Sequence, residues 1–148
     1  HDIVIPLDAD DMLLENYAER VLEEMSITGA DVVAPSLKTF GTSSQEVILM
    51  SEPTLEDFRT GSRLGYCAAI KKKVLFEVGG YNPRMTWGYE DLSLWINLLT
   101  LGKKIITIPD VLWLYRTKEQ SMWKDALSHH KELLDIINKD FPQAQLNF

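Results

Sequence analysis

The chain has 148 residues, 45% of them hydrophobic, and 15 Lys and Arg against 22 Asp and Glu give it a net charge of -7. That length suits one domain with a sizeable core, and the acidic balance argues against general binding to nucleic acid or anionic membranes. No apolar run approaches the roughly 20 residues of a bilayer-spanning helix, no signal-like segment is read, and the single Cys67 excludes an internal disulfide and fits a reducing, cytoplasmic compartment.

Residues 3–7 (Ile3, Val4, Ile5, Pro6, Leu7) read as a strand buried on both faces. A core-type strand with so little chain ahead of it is expected to come from a longer protein. Its exposed edge makes a homodimer through strand pairing an expectation too. Asp8-Ala9-Asp10-Asp11 follows. If extension continues, alternation puts Asp8 and Asp10 on one side, where two carboxylates repel unless a cation lies between them. A hard divalent ion with oxygen ligands suits that place, whereas the spacing of an EF-hand is absent. The plain alternative is a turn and helix cap, both of which favour Asp.

From Leu13 to Met25, Leu14, Tyr17, Val21, Leu22 and Met25 share one helical face, and Gly29 stops the helix. Residues 31–35 start a second strand, 41–45 form a polar loop, and 46–50 form a short strand. Thr54-Leu55-Glu56-Asp57 has the pattern of a capping box with Asp in the usual Glu or Gln position. Residues 66–70 read as a buried strand in which Cys67 is a small core residue. A short helix over 72–78 ends at Gly79-Gly80, a pair suited to positive φ.

Trp87-Gly88-Tyr89 leads into Glu90-Asp91 and a helix over 90–101 that is apolar almost all round. Acids at a helix start are also favoured simply by the macrodipole. Here two aromatics stand beside them, and aromatic faces pack on sugar rings while a carboxylate accepts a hydroxyl proton. Residues 104–108 and 111–115 read as two strands across a Pro109-Asp110 turn. Arg116 and Lys118 could hold a phosphate beside a helix start near Ser121, against the plainer reading of solvated loop charge. Trp113 is open between pocket and core. One long helix is expected over 122–139, blocked by Pro142, with His129-His130 on its surface and poorly placed for a metal. Strands and helices alternate, so the class is α/β.

Four stretches together resemble the carboxyl-terminal part of a family 2-type glycosyltransferase with a GT-A fold: Ile5-Pro6-Leu7-Asp8-Ala9-Asp10-Asp11, Gly79-Gly80-Tyr81-Asn82, residues 87–95, and Tyr115-Arg116 with Ser121-Met122. The resemblance implies a mixed sheet flanked by helices and a nucleotide-diphosphate sugar as donor. It also implies a carbohydrate or lipid-linked acceptor, polysaccharide biosynthesis as the setting, and Mn or Mg as cofactor. It makes Asp8 and Asp10 the DxD motif, binding donor and metal, and Asp91 the general base, with Glu90 positioning a sugar. Arg116 would steady the departing diphosphate, and Trp87 and Tyr89 would contact acceptor or sugar. The family's amino-terminal nucleotide-binding half is not among these residues, so little turnover is expected from this part alone. A metal-dependent phosphohydrolase and a non-catalytic carbohydrate-binding module are the competing expectations.

Overall fold

A computed structural model describes the chain except for residues 50, 51, 62, 63, 120 and 121, and the side chains of Trp123 and Lys124. In chain order the elements are β1 (Ile3–Val4), β2 (Met12–Leu13), α1 (Tyr17–Thr28), β3 (Val32–Gly41), β4 (Glu46–Val47) and α2 (Leu55–Phe58). They continue with β5 (Ala69–Lys71), α3 (Lys72–Glu77), α4 (Glu90–Thr100), β6 (Ile105–Thr117), α5 (Met122–Ser128) and α6 (His130–Asp140). Among the described residues the strands form one sheet in the order β1-β5-β3-β6-β2, with β4 also paired to β3. Only β3 and β6 run parallel; every other pairing is antiparallel. The fold is therefore α/β, a mixed sheet flanked by helices. No helix among the described residues is long and apolar enough to cross a membrane.

Side-chain alternation along the central strands divides the core between the two faces of the sheet. Val32, Ala34, Ala68 and Ile70 face α4 and α6, while Val33, Cys67, Ala69, Ile106 and Ile108 face α1 through Tyr17, Val21 and Met25. Helix α4 earns its central place by composition: Leu92, Leu94, Trp95, Ile96 and Leu98 are each at most 2% exposed. Burying each of these contributes about 1.5–3 kcal/mol before the cost of ordering it.

Local signals set several boundaries. Gly29 takes φ 70° and its N–H reaches the Met25 carbonyl, closing α1 as a left-handed cap. The Thr54–Asp57 capping box forms in full despite its shorter acid. Gly79 and Gly80 both have positive φ, 82° and 73°.

Other expectations are corrected. The opening strand is only Ile3–Val4, partly buried at the sheet edge rather than enclosed on both faces, because β5 is its one partner among the described residues. The helix expected from Leu13 starts only at Tyr17, because Met12–Leu13 pairs with β6, and Leu22 is exposed, so α1 buries a narrower stripe than its sequence offers. Residues 46–50 pair only over Glu46–Val47, and Met50 lies outside the described residues. The two strands across Pro109-Asp110 are one strand, β6, whose register against β3 slips there. Two side chains stabilise that irregularity: Ser36 Oγ donates to the Ile108 carbonyl at 3.0 Å, and Arg20 pairs with Asp110 at 3.2 Å. The long terminal helix is two, broken at His129, whose backbone leaves helical geometry.

Candidate active site

Asp8 to Asp11 form a turn rather than an extended strand: the Asp11 N–H donates to the Asp8 carbonyl at 3.2 Å. Simple alternation therefore does not set the directions of Asp8 and Asp10. Asp11, 8% exposed, acts as the anchor. Its Oδ2 accepts the Tyr66 hydroxyl at 2.5 Å and its Oδ1 accepts the Arg116 backbone N–H at 2.8 Å. Tyr66 in turn accepts the Asp8 N–H at 3.0 Å. One tyrosine and one aspartate thus pin the acidic turn between the approach to β5 and the end of β6.

Two cations adjoin the turn. Arg116 donates from Nε to the Asp10 carbonyl at 3.0 Å and stacks its guanidinium over Phe40, 4.3 Å from the ring centre. Lys118 Nζ lies 2.5 Å from Asp10 Oδ2. The Lys118 contact lowers the Asp10 pKa below the usual carboxylate range, whereas partial burial and the charges of Asp11 and Asp10 raise that of Asp8.

Glu90 and Asp91 open α4. The residue before them, Tyr89, holds a left-handed backbone (φ 61°), strained for a side chain with a Cβ. Asp91 is partly buried and accepts the Leu92 N–H at 2.7 Å. Burial first and the Glu90 charge second push its pKa up to about 7, and the charge of Asp8 adds to the effect. The Tyr81 hydroxyl is pushed up to about 12 by burial and by Asp91, Glu90 and Asp8 together. Tyr115 is likewise raised by burial and by Asp11, Asp8, Asp10 and Asp91. Asp8 and Asp91, one from each acidic cluster, thus both act on Tyr81 and on Tyr115.

The aromatic lead-in divides into two roles. Trp87 is 46% exposed and stacks on His129 at 4.2 Å between ring centres. Tyr89 is 7% exposed, its ring packed in the core and its hydroxyl 2.8 Å from His130 Nδ1. That burial leaves little of the Tyr89 ring for a sugar face. His130 also contacts the Phe148 carbonyl. The histidines, expected on an open helix surface, thus brace the segment before Glu90. Trp113, 2% exposed, belongs to the core, packing edge-on against Tyr66 at 5.1 Å. The helix start expected near Ser121 lies outside the described residues. Asp11 and Tyr66 are the site residues that motif reading missed. Three acids in four residues signal that one must find internal partners, but nothing local names a tyrosine 55 positions away.

Among the described residues no group of three or more His, Cys, Asp or Glu is placed to hold a metal by itself. An ion of the Mg type carried with a diphosphate needs only one or two protein carboxylates, the substrate supplying further oxygens. Asp8 and Asp10 supply hard carboxylate oxygens on one turn, and burial first, then the charges of Asp11 and Asp10, raise the pKa of Asp8, so the donor chemistry suits such an ion.

No family model matches the chain. Among curated proteins it is similar to the amylovoran biosynthesis glycosyltransferase AmsE of Erwinia amylovora, 24% identical over 120 residues that cover 76% of this chain and 44% of that protein. Among solved structures, S. aureus TarS 1-349 in complex with UDP-GlcNAc superposes with a TM-score of 0.74 at 16% identity, covering 99% of this chain and 44% of TarS 1-349. The complex of TarS 1-349 with UDP gives 0.62 at 12% identity, over 90% of this chain and 41% of that one. The chain thus spans less than half the length of these relatives.

Proposed function

We propose that this chain is the carboxyl-terminal, acceptor-side part of a family 2-type glycosyltransferase of GT-A fold. It would move a sugar from a nucleotide-diphosphate donor to an acceptor hydroxyl with inversion. The observation that carries the reading is the placement of Asp91, a carboxylate partly buried beside Glu90 at the head of a buried helix, where burial first and the Glu90 charge second push its pKa up to about 7. A base with that pKa is matched to proton abstraction near neutral pH. Likeness to AmsE and to TarS holding UDP-GlcNAc supports the donor class, with a nucleotide of the UDP type the first to test.

In this mechanism Asp91 takes the proton of the acceptor hydroxyl as its oxygen bonds to the anomeric carbon. The bond from that carbon to the diphosphate oxygen breaks on the opposite face, which gives inversion. Glu90 sits one residue before Asp91 and positions a sugar hydroxyl. Arg116, aligned by the Asp10 carbonyl and by Phe40, faces the negative charge that develops on the diphosphate. Asp8 and Asp10 would hold Mn or Mg, which when bound neutralises part of the same charge. Trp87 offers the exposed aromatic surface for a carbohydrate or lipid-linked acceptor. We place Tyr89 behind it as a support. The lone, buried Cys67 suits a cytoplasmic setting.

The direct test replaces Asp91 by Asn in the full-length protein and measures UDP binding and sugar transfer separately. Transfer should fall about 10²–10⁴-fold with UDP affinity unchanged. Near-normal transfer would remove Asp91 as the base and with it the reading.

A further inference from the structure

We propose that Lys118 is a resident counter-ion of Asp10 that must leave the carboxylate before a divalent cation binds, and that an arriving diphosphate draws it away. Metal and nucleotide then bind as a coupled pair. The inference deepens the function proposed above and rests on the metal role given there to Asp10.

The two cations beside Asp10 are held differently. Arg116 is fixed twice over, by its bond to the Asp10 backbone carbonyl and by the Phe40 ring. Lys118 is held by the Asp10 carboxylate at 2.5 Å, and the side chains are 50% and 37% exposed. An ion pair this open to water is weak enough to exchange, where a buried one would be locked. The ammonium nevertheless covers the oxygen that a metal needs, and it repels a dication brought to the same carboxylate.

A diphosphate changes the balance. It presents more negative charge than one carboxylate, and the flexible four-carbon stem lets Lys118 swing to it without disturbing β6, which ends at Thr117. The positive charge then moves from Asp10 to the phosphate oxygens, and Asp10 becomes free for the metal that the same diphosphate carries. Before the donor arrives, Lys118 neutralises the Asp10 carboxylate. Arg116 stays in place throughout, so the two basic side chains divide the work between a fixed contact and an exchanging one.

Mn²⁺ binding to the full-length protein, read by electron paramagnetic resonance with and without UDP, tests this. Wild type should bind Mn²⁺ weakly alone and more tightly with UDP. Lys118→Met should bind Mn²⁺ alone roughly tenfold more tightly, the scale set by losing an exposed pair and a like-charge repulsion. By linkage, the tightening produced by UDP should shrink by a similar factor. Lys118→Arg, which keeps the charge, should stay close to wild type. Equal Mn²⁺ affinity of wild type and Lys118→Met, in a protein whose Asp10→Ala variant loses Mn²⁺, would overturn the exchange while leaving the metal role standing. If wild type binds no Mn²⁺ even with UDP, or Asp10→Ala binds it normally, the metal role fails and the exchange fails with it.

Discussion

Asp91 ties function and stability to pH with opposite signs. Its folded pKa, about 7, lies above the ordinary carboxylate value of 3.8. In the proposed role of base Asp91 works when ionised, so the transfer rate should climb through one ionisation near pH 7 in a pH-rate profile. For stability the proton is the favoured state. The contribution of Asp91 is fully present below pH 3.8 and is lost as pH rises through about 7. Asn keeps the neutral form at every pH, so Asp91→Asn should gain thermal midpoint relative to wild type between pH 4 and 8; a constant difference would contradict the burial argument. Tyr66 allows a second test at this scale. Phe keeps the edge-on packing against Trp113 but removes both hydrogen bonds of the hydroxyl. Tyr66→Phe should weaken UDP binding roughly tenfold in calorimetry, since a bond to a charged group is lost at the turn. Unchanged affinity would mean the turn holds without its clamp.

The segment leading into α4 is braced from behind. Gly88 has φ 125°, and a Cβ built there would stand 2.8 Å from Ala126 Cβ on α5. Gly88→Ala should therefore push the Trp87–Tyr89 stretch away from α5, costing about 1–3 kcal/mol and lowering turnover. Gly29 has similar backbone needs but open space around it. Gly29→Ala should cost about 1 kcal/mol with turnover intact, which chemical melts and initial rates on the two variants would check. Elements of this kind were legible where a local rule governs them: Gly29, Gly79-Gly80 and the Thr54–Asp57 box ended or began helices as their chemistry dictates. They were illegible where a distant partner decides. Pro109-Asp110 has turn chemistry, yet pairing with β3, together with Ser36 and Arg20, carries the strand through it. The break at His129 lacks glycine or proline, and the bracing of Tyr89 by His130 comes from 41 residues away.

For the molecule as a whole, one sheet serves two cores. Leu98 packs on one face and Ile106 on the other, and β3 lies beneath both. Leu98→Ala and Ile106→Ala should each cost about 2–5 kcal/mol and shift the same single unfolding transition. Two separate transitions would show that the faces unfold independently. The α/β class was readable from alternating elements, and the acidic and aromatic stretches marked the residues to which the proposed function gives roles. What the sequence could not disclose was the division of labour inside Asp8–Asp11, because only the folded chain brings Tyr66, Arg116 and Lys118 around it. The expected self-pairing through the opening strand has just two residues of edge to work with, a short template for a second copy.

Cys67, the sequence's one cysteine, lies directly after that tyrosine, 2% exposed and with its pKa pushed up to about 12 by burial. Its carbonyl accepts the Tyr17 hydroxyl at 3.0 Å, tying it to α1. A disulfide reagent can reach it only when the sheet parts from that helix, so colour release in a thiol assay becomes a stopwatch for opening. Nucleotide bound next door would slow the clock, turning an otherwise silent sulfur into a built-in reporter of occupancy.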